Sequence, residues 1–137
     1  MPGNVPSRGL LISAVVCAIE GVAFTGYAIF VLVEVLRLGI TGPEPVSNAS
    51  SVSIEIGLFA LFGIGLLLVS LGLWRVRRWS RAPAVLAQLF ALVVGVPLMG
   101  AEGWTERVVG GLLAIMALAA IVGLFLPSST RELIEGN

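Results

Sequence analysis

The 137-residue chain contains no histidine, and its charged side chains are eight arginines and eight glutamates, with neither lysine nor aspartate. Without His or Asp it cannot assemble a Ser-His-Asp triad, a histidine-rich metal site or the aspartate-led loop of an EF-hand. Cys17 is the only cysteine, which excludes an internal disulfide. A formal net charge of zero offers no basic face to neutralise phosphates, so no nucleic-acid partner is expected. The chain is therefore expected to be non-enzymatic, and no cofactor or metal is implied.

Charge of either sign is scarce. Charged residues make up 12% of the chain, about half the share of an ordinary soluble domain, while hydrophobic residues make up 58% and the mean hydropathy is +1.06. Such a chain takes the lipid bilayer as its solvent, which restricts it to helices or a closed barrel.

Four apolar runs are long enough to cross the bilayer as helices, at residues 10–33, 56–74, 82–101 and 107–126. The expected fold is an all-α membrane protein, a four-transmembrane-helix bundle in a single domain over 1–137. The first run continues apolar to about residue 40, and Gly39 with Thr41-Gly42-Pro43 then stops it. A polar stretch at 43–53, with Asn48 and four serines, forms the first loop. Pro83 falls in the first turn of the third run, where a missing N–H costs little, and Pro97 is placed to bend its last turn. The link Glu102-Gly103-Trp104-Thr105-Glu106 makes the last two spans a tight antiparallel hairpin, and Pro127-Ser128-Ser129 closes the fourth. The first run is too long for a cleaved leader and is interrupted by Glu20, so it is expected to be retained.

Orientation follows from the arginines. The loop Arg75-Val76-Arg77-Arg78-Trp79-Ser80-Arg81 is the densest positive cluster, which the positive-inside rule places in the cytoplasm together with both termini. Arg8 and Arg131 agree, against Arg37 and Arg107 outside. The loop arginines Arg75, Arg77, Arg78 and Arg81 are first of all orienting charges beside interfacial tryptophans. They are also a candidate patch for anionic lipid headgroups or for docking, at about 1 kcal/mol per arginine.

Glu20 is the residue that stands out, because it lies about ten residues into the first span, near the bilayer midplane. A central acid costs roughly 2.5 kcal/mol or more on insertion scales, and an unpaired carboxylate in hydrocarbon is driven to take up a proton. Ser13, Cys17, Glu20, Phe24, Tyr27, Val31 and Glu34 recur at steps of four and three, one stripe of a helix that should face protein rather than lipid. Ala84, Gln88, Ala91 and Gly95 make a similar stripe on the third span, with Gln88 at nearly the depth of Glu20. Glu20, Gln88, Tyr27 and Thr25 are thus the candidate intramembrane polar site. Its role stays open: an interhelical hydrogen bond that fixes packing, or proton coupling, cation recognition or pairing with an Arg from another subunit. Gly57, Gly65 and Gly72 on the second span and Gly110-x-x-x-Ala114 on the fourth are expected to let helices approach closely.

The stretch Arg77-Arg78-Trp79-Ser80-Arg81-Ala82-Pro83-Ala84-Val85-Leu86-Ala87-Gln88-Leu89 resembles the signature of small actinobacterial integral membrane proteins with four spans. The likeness extends to Glu20-Gly21, Gly103-Trp104 and Pro127-Ser128-Ser129-Thr130-Arg131, and so covers most of the chain. It implies the plasma membrane of a bacterium and no particular mechanism. A single membrane-embedded glutamate in the first of four spans is also similar to small multidrug resistance transporters. Only Glu20 corresponds, and their aromatic and glycine pattern in the third span is absent. The expectation is a non-enzymatic accessory or structural subunit of a membrane complex, or a homo-oligomer. The alternative is a proton-coupled small-molecule transporter using Glu20.

Overall fold

The computed structural model describes residues 5–39 and 48–135, and the described residues are helical almost throughout, with no strand. The helices are α1 (Arg8–Leu38), α2 (Ala49–Trp74), α3 (Arg81–Met99), α4 (Trp104–Phe125) and α5 (Pro127–Glu135), with a 3-10 turn at Arg78–Ser80 before α3. The first four are long and apolar enough to span a membrane.

Helix ends follow local chemistry, and they move several of the expected boundaries. α1 continues past the span at residue 33 to Leu38, the helical extension expected there, and ends at Gly39, whose φ of 73° only glycine adopts without strain and whose N–H bonds to Val35 O at 3.0 Å. The remaining stop residues, Thr41-Gly42-Pro43, lie outside the described residues. α2 starts at Ala49 rather than 56, because the Asn48 side chain caps it by accepting from Ser51 N at 2.8 Å. Serines 50, 51 and 53 are therefore helical rather than loop. Gly103 starts α4 three residues earlier than expected.

The end of α2 is unusual. Arg77 N–H bonds to Gly72 O at 2.8 Å and Val76 N–H to Leu73 O at 3.0 Å, the paired bonds of a Schellman motif. The left-handed position, normally glycine, is Val76 at φ 53°. A β-branched residue there costs about 1–2 kcal/mol, and the compensation is burial, since Val76 is only 3% exposed.

α1 packs most extensively on α2, and α3 on α4; α1 against α4 joins the two hairpins, while α2 touches α3 only lightly. The order around the bundle is thus α2, α1, α4, α3, with α1 and α3 on a diagonal. Each of the three strong contacts is made at facing glycines. A Cβ on Gly21 would lie 2.9 Å from Gly63 O, one on Gly110 2.6 Å from Gly95 O, and one on Gly123 2.5 Å from Gly9 O. Lipid is as apolar as leucine, so this close backbone approach, rather than hydrophobic burial, holds the spans together. Serine hydroxyls reinforce it: Ser70 Oγ donates to Ala14 O at 2.7 Å and Ser13 Oγ to Ala120 O at 2.7 Å. Such bonds contribute about 0.6–2 kcal/mol each.

Gly110 sits at a helix crossing as expected, whereas Gly72 is close-packed against Ser80 and Trp79 of the turn before α3 rather than against a second span. Gly57 and Gly65 make no close contact: nothing lies within 4 Å of a Cβ built on either. The glycine of α2 that meets α1 is Gly63, and at 100° per residue Gly65 is turned well away from it.

α5 was not expected, since Pro127 reads equally as a stop for α4 and as the first residue of a new helix. It folds back across one end of the bundle. Ser7 N–H donates to Glu132 Oε2 at 2.9 Å, Ser7 Oγ and Ser129 Oγ share a bond of 3.0 Å, and Arg78 Nε donates to Leu133 O at 2.9 Å. The start of α1, the α2–α3 loop and the C-terminal helix therefore meet at the same end.

Candidate intramembrane polar site

Glu20 lies on the α1 stripe that turns into the bundle, and Gln88 lies one turn beyond Ala84 on the inward face of α3. The Glu20 side chain is 5% exposed and Gln88 is fully buried. Gln88 Nε2 donates to Glu20 Oε2 at 2.8 Å and also approaches Cys17 Sγ at 3.8 Å. This joins helices that do not pack side by side. The amide reaches across the diagonal, and its two N–H groups turn towards two α1 side chains one helical turn apart.

The site is incompletely bonded. Glu20 Oε1 and Gln88 Oε1 are both buried with no hydrogen-bond partner. The spans around them bring no counter-charge, because residues 58–73, 82–99 and 108–125 contain neither Arg nor Glu. Cys17, a buried free thiol, is the nearest other titratable group.

The other two candidate residues have different surroundings. Thr25 lies on the α2 side, where its Oγ1 is buried, unpartnered and packed on Gly63. Tyr27 is 43% exposed; its hydroxyl donates to Glu55 Oε1 at 2.9 Å and its ring packs on Phe59 at 4.6 Å. It ties α1 to α2 two turns away from Glu20, at the end of the bundle opposite α5. The reason is angular: seven residues bring Tyr27 back over Glu20 in projection, but about 10 Å further along the axis.

The arginine patch divides. Arg78, itself exposed, caps the last turn of α5 through Leu133 O and Ile134 O. Arg81 lies 5.0 Å from the Phe125 ring centroid and reaches Thr130 Oγ1 at 3.5 Å. Arg75 and Arg77 are exposed at the same end, where Trp74 and Trp79 also turn outward.

Sequence reasoning missed the serines that tie the helices and the residues of α5 that clasp the loop. Ser13 was visible on the α1 stripe. Ser70 carried no signal, because a lone serine in an apolar run bonds its own helix or a neighbour with the same pattern. Among the described residues no group of three or more metal-ligating side chains comes together. No family model, curated protein or solved structure was found to match the chain.

Proposed function

We propose that this chain is a non-enzymatic membrane protein that works by association within the bilayer, as an accessory or structural subunit of a larger complex or as a homo-oligomer. The observation that carries this reading is the contrast between two sets of glycines. Six are consumed in the three helix crossings, whereas Gly57 and Gly65, about two turns apart on α2, have open space beside them. A span that keeps glycine on an open face can receive a second helix at close range. The interior serines and the Glu20–Gln88 pair support the same reading, since they are spent on ties between helices.

The clustering of Arg8, Arg75, Arg77, Arg78, Arg81 and Arg131 toward the α5 end supports placing that end, with both termini, in the cytoplasm of a bacterial cell, the chain being multi-pass in the plasma membrane. Exposed Arg75 beside Trp74 supports contact with anionic headgroups. The test is gentle extraction of tagged protein from its own membrane, followed by native mass determination. A stoichiometric partner or a homo-oligomer is expected; a bare monomer would overturn the proposal.

A second reading, proton-coupled transport of a small molecule, is favoured by the unpartnered Glu20 and Gln88 oxygens inside the bundle. It requires Glu20→Gln to abolish pH-driven uptake in proteoliposomes while the fold survives. Unchanged uptake would remove Glu20 from any such mechanism.

A further inference from the structure

We propose that Glu20 and Gln88 together bind one exchangeable proton, seated on Glu20 Oε1 and shared with Gln88 Oε1, so that the acid and the amide close a ring of two hydrogen bonds. The inference concerns what the site holds, and it stands whether or not the chain transports anything.

The argument begins with hydrogen-bond accounting. A buried polar atom is nearly always partnered, and one left alone forfeits its hydration without return. Here the two orphaned oxygens belong to the same two side chains that already share the 2.8 Å bond from Gln88 Nε2 to Glu20 Oε2. A carboxyl group and a primary amide are both planar three-atom forks, and two forks joined at one arm of each can close a second bond between the remaining arms. Both remaining atoms are acceptors, and two acceptors cannot satisfy each other. One proton bonded to Oε1 makes it a donor and completes both. The Glu20 O–H bond forms as an O–H bond of a hydronium ion breaks, and one water is released.

Charge accounting agrees. Glu20 is only 5% exposed, and no Arg occurs in residues 9–33, 58–73, 82–99 or 108–125. On α2 and α4, residues 58–73 and 108–125 carry no ionisable side chain, and Gln88 on α3 and Cys17 on α1 are neutral. A single positive charge must therefore come from outside the chain. A metal cation fits the donors poorly. Hard cations take a shell of about six oxygens, whereas this site offers two free oxygens and a thiol. A proton needs only the two.

Infrared difference spectroscopy of the full chain in lipid, unmodified minus Glu20→Gln at neutral pH, tests this. One protonated-carboxyl band per chain is expected, shifting in deuterium oxide and identical in sodium and choline buffers. Gln88→Leu should move that band towards a weaker hydrogen bond. An ionised-carboxylate band at Glu20, or a protonated band that disappears when sodium replaces choline, overturns the proposal. If Glu20→Gln fails to fold, solid-state NMR of unmodified protein with labelled Glu and Gln decides: a protonated carboxyl carbon close to the Gln88 side-chain amide is expected, and its absence refutes the ring.

Discussion

Replacing Gly123 by alanine is the smallest change that tests whether backbone contact holds this bundle together. The added Cβ would sit 2.5 Å from the carbonyl oxygen of Gly9 and 2.9 Å from Ser13 Oγ. Ordinary contact begins near 3.4 Å, so α1 and α4 must part by about 1 Å, since a close-packed interface has no slack to absorb a methyl group. Overpacking of this kind costs about 1–3 kcal/mol. The same displacement stretches the 2.7 Å bond from Ser13 Oγ to Ala120 O, at a further 0.6–1.7 kcal/mol or about that. Alanine is also the better helix former by up to about 1 kcal/mol, so a total near 1–4 kcal/mol is expected. Gly9→Ala should cost a similar amount, and the double variant less than the sum, because one separation relieves both clashes. Gly65→Ala is the control. Its Cβ meets nothing within 4 Å, and alanine is the better helix former by up to about 1 kcal/mol. The assay is reversible denaturation in mixed micelles, followed by fluorescence of Trp74, Trp79 and Trp104. Equal midpoints for Gly123→Ala and unmodified protein, or a Gly65→Ala loss as large as that of Gly123→Ala in the monomer, would refute the reasoning.

Three further outcomes are expected. Val76→Gly should change stability by no more than about 1 kcal/mol, because relief of the left-handed backbone offsets lost burial, whereas Val76→Ala loses burial without relief and should be the less stable of the two in the same assay. Arg78→Ala removes the donor to the last-turn carbonyls of α5, and hydrogen exchange of residues 129–133 should accelerate about tenfold or more with α1 to α4 unaffected; unchanged protection would show that α5 docks without it. Gln88→Leu strands the Glu20 carboxyl and should destabilise by about 1–3 kcal/mol in thermal unfolding; unchanged stability would count against a tie through the amide.

Some of the site was legible in advance, and the reason is periodicity. Cys17, Glu20 and Gln88 each lie on a stripe of small or polar residues, and depth along a span is a matter of counting, so a Glu20–Gln88 contact could be anticipated before any helix was placed. Tyr27 and Thr25 are grouped with them on the same helix but lie apart from the pair, Tyr27 bonded to Glu55 and Thr25 packed unpartnered on Gly63, because a stripe records angle around the axis while a neighbour also needs height. Gly57 and Gly65 fail for a related reason. Glycine within a span signals close approach, and it does not say whether the approaching helix belongs to this chain.

α5 shows the other limit. Its nine residues carry no long apolar run, and its docking depends on Ser7, Arg78 and Arg81, which are far from it in sequence and come near only after the four spans have assembled.

What the amino-acid sequence determined by itself was four helices long and apolar enough to cross a bilayer, from too little charge for water, four runs of sufficient length, and backbone groups that each helix satisfies within itself. Which helices touch was decided only by tertiary structure. The spans are almost uniformly apolar all round, so hydrophobicity does not distinguish their faces, and the order α2, α1, α4, α3 rests on where two backbones can come within contact of each other at Gly21 and Gly63, Gly9 and Gly123, and Gly95 and Gly110.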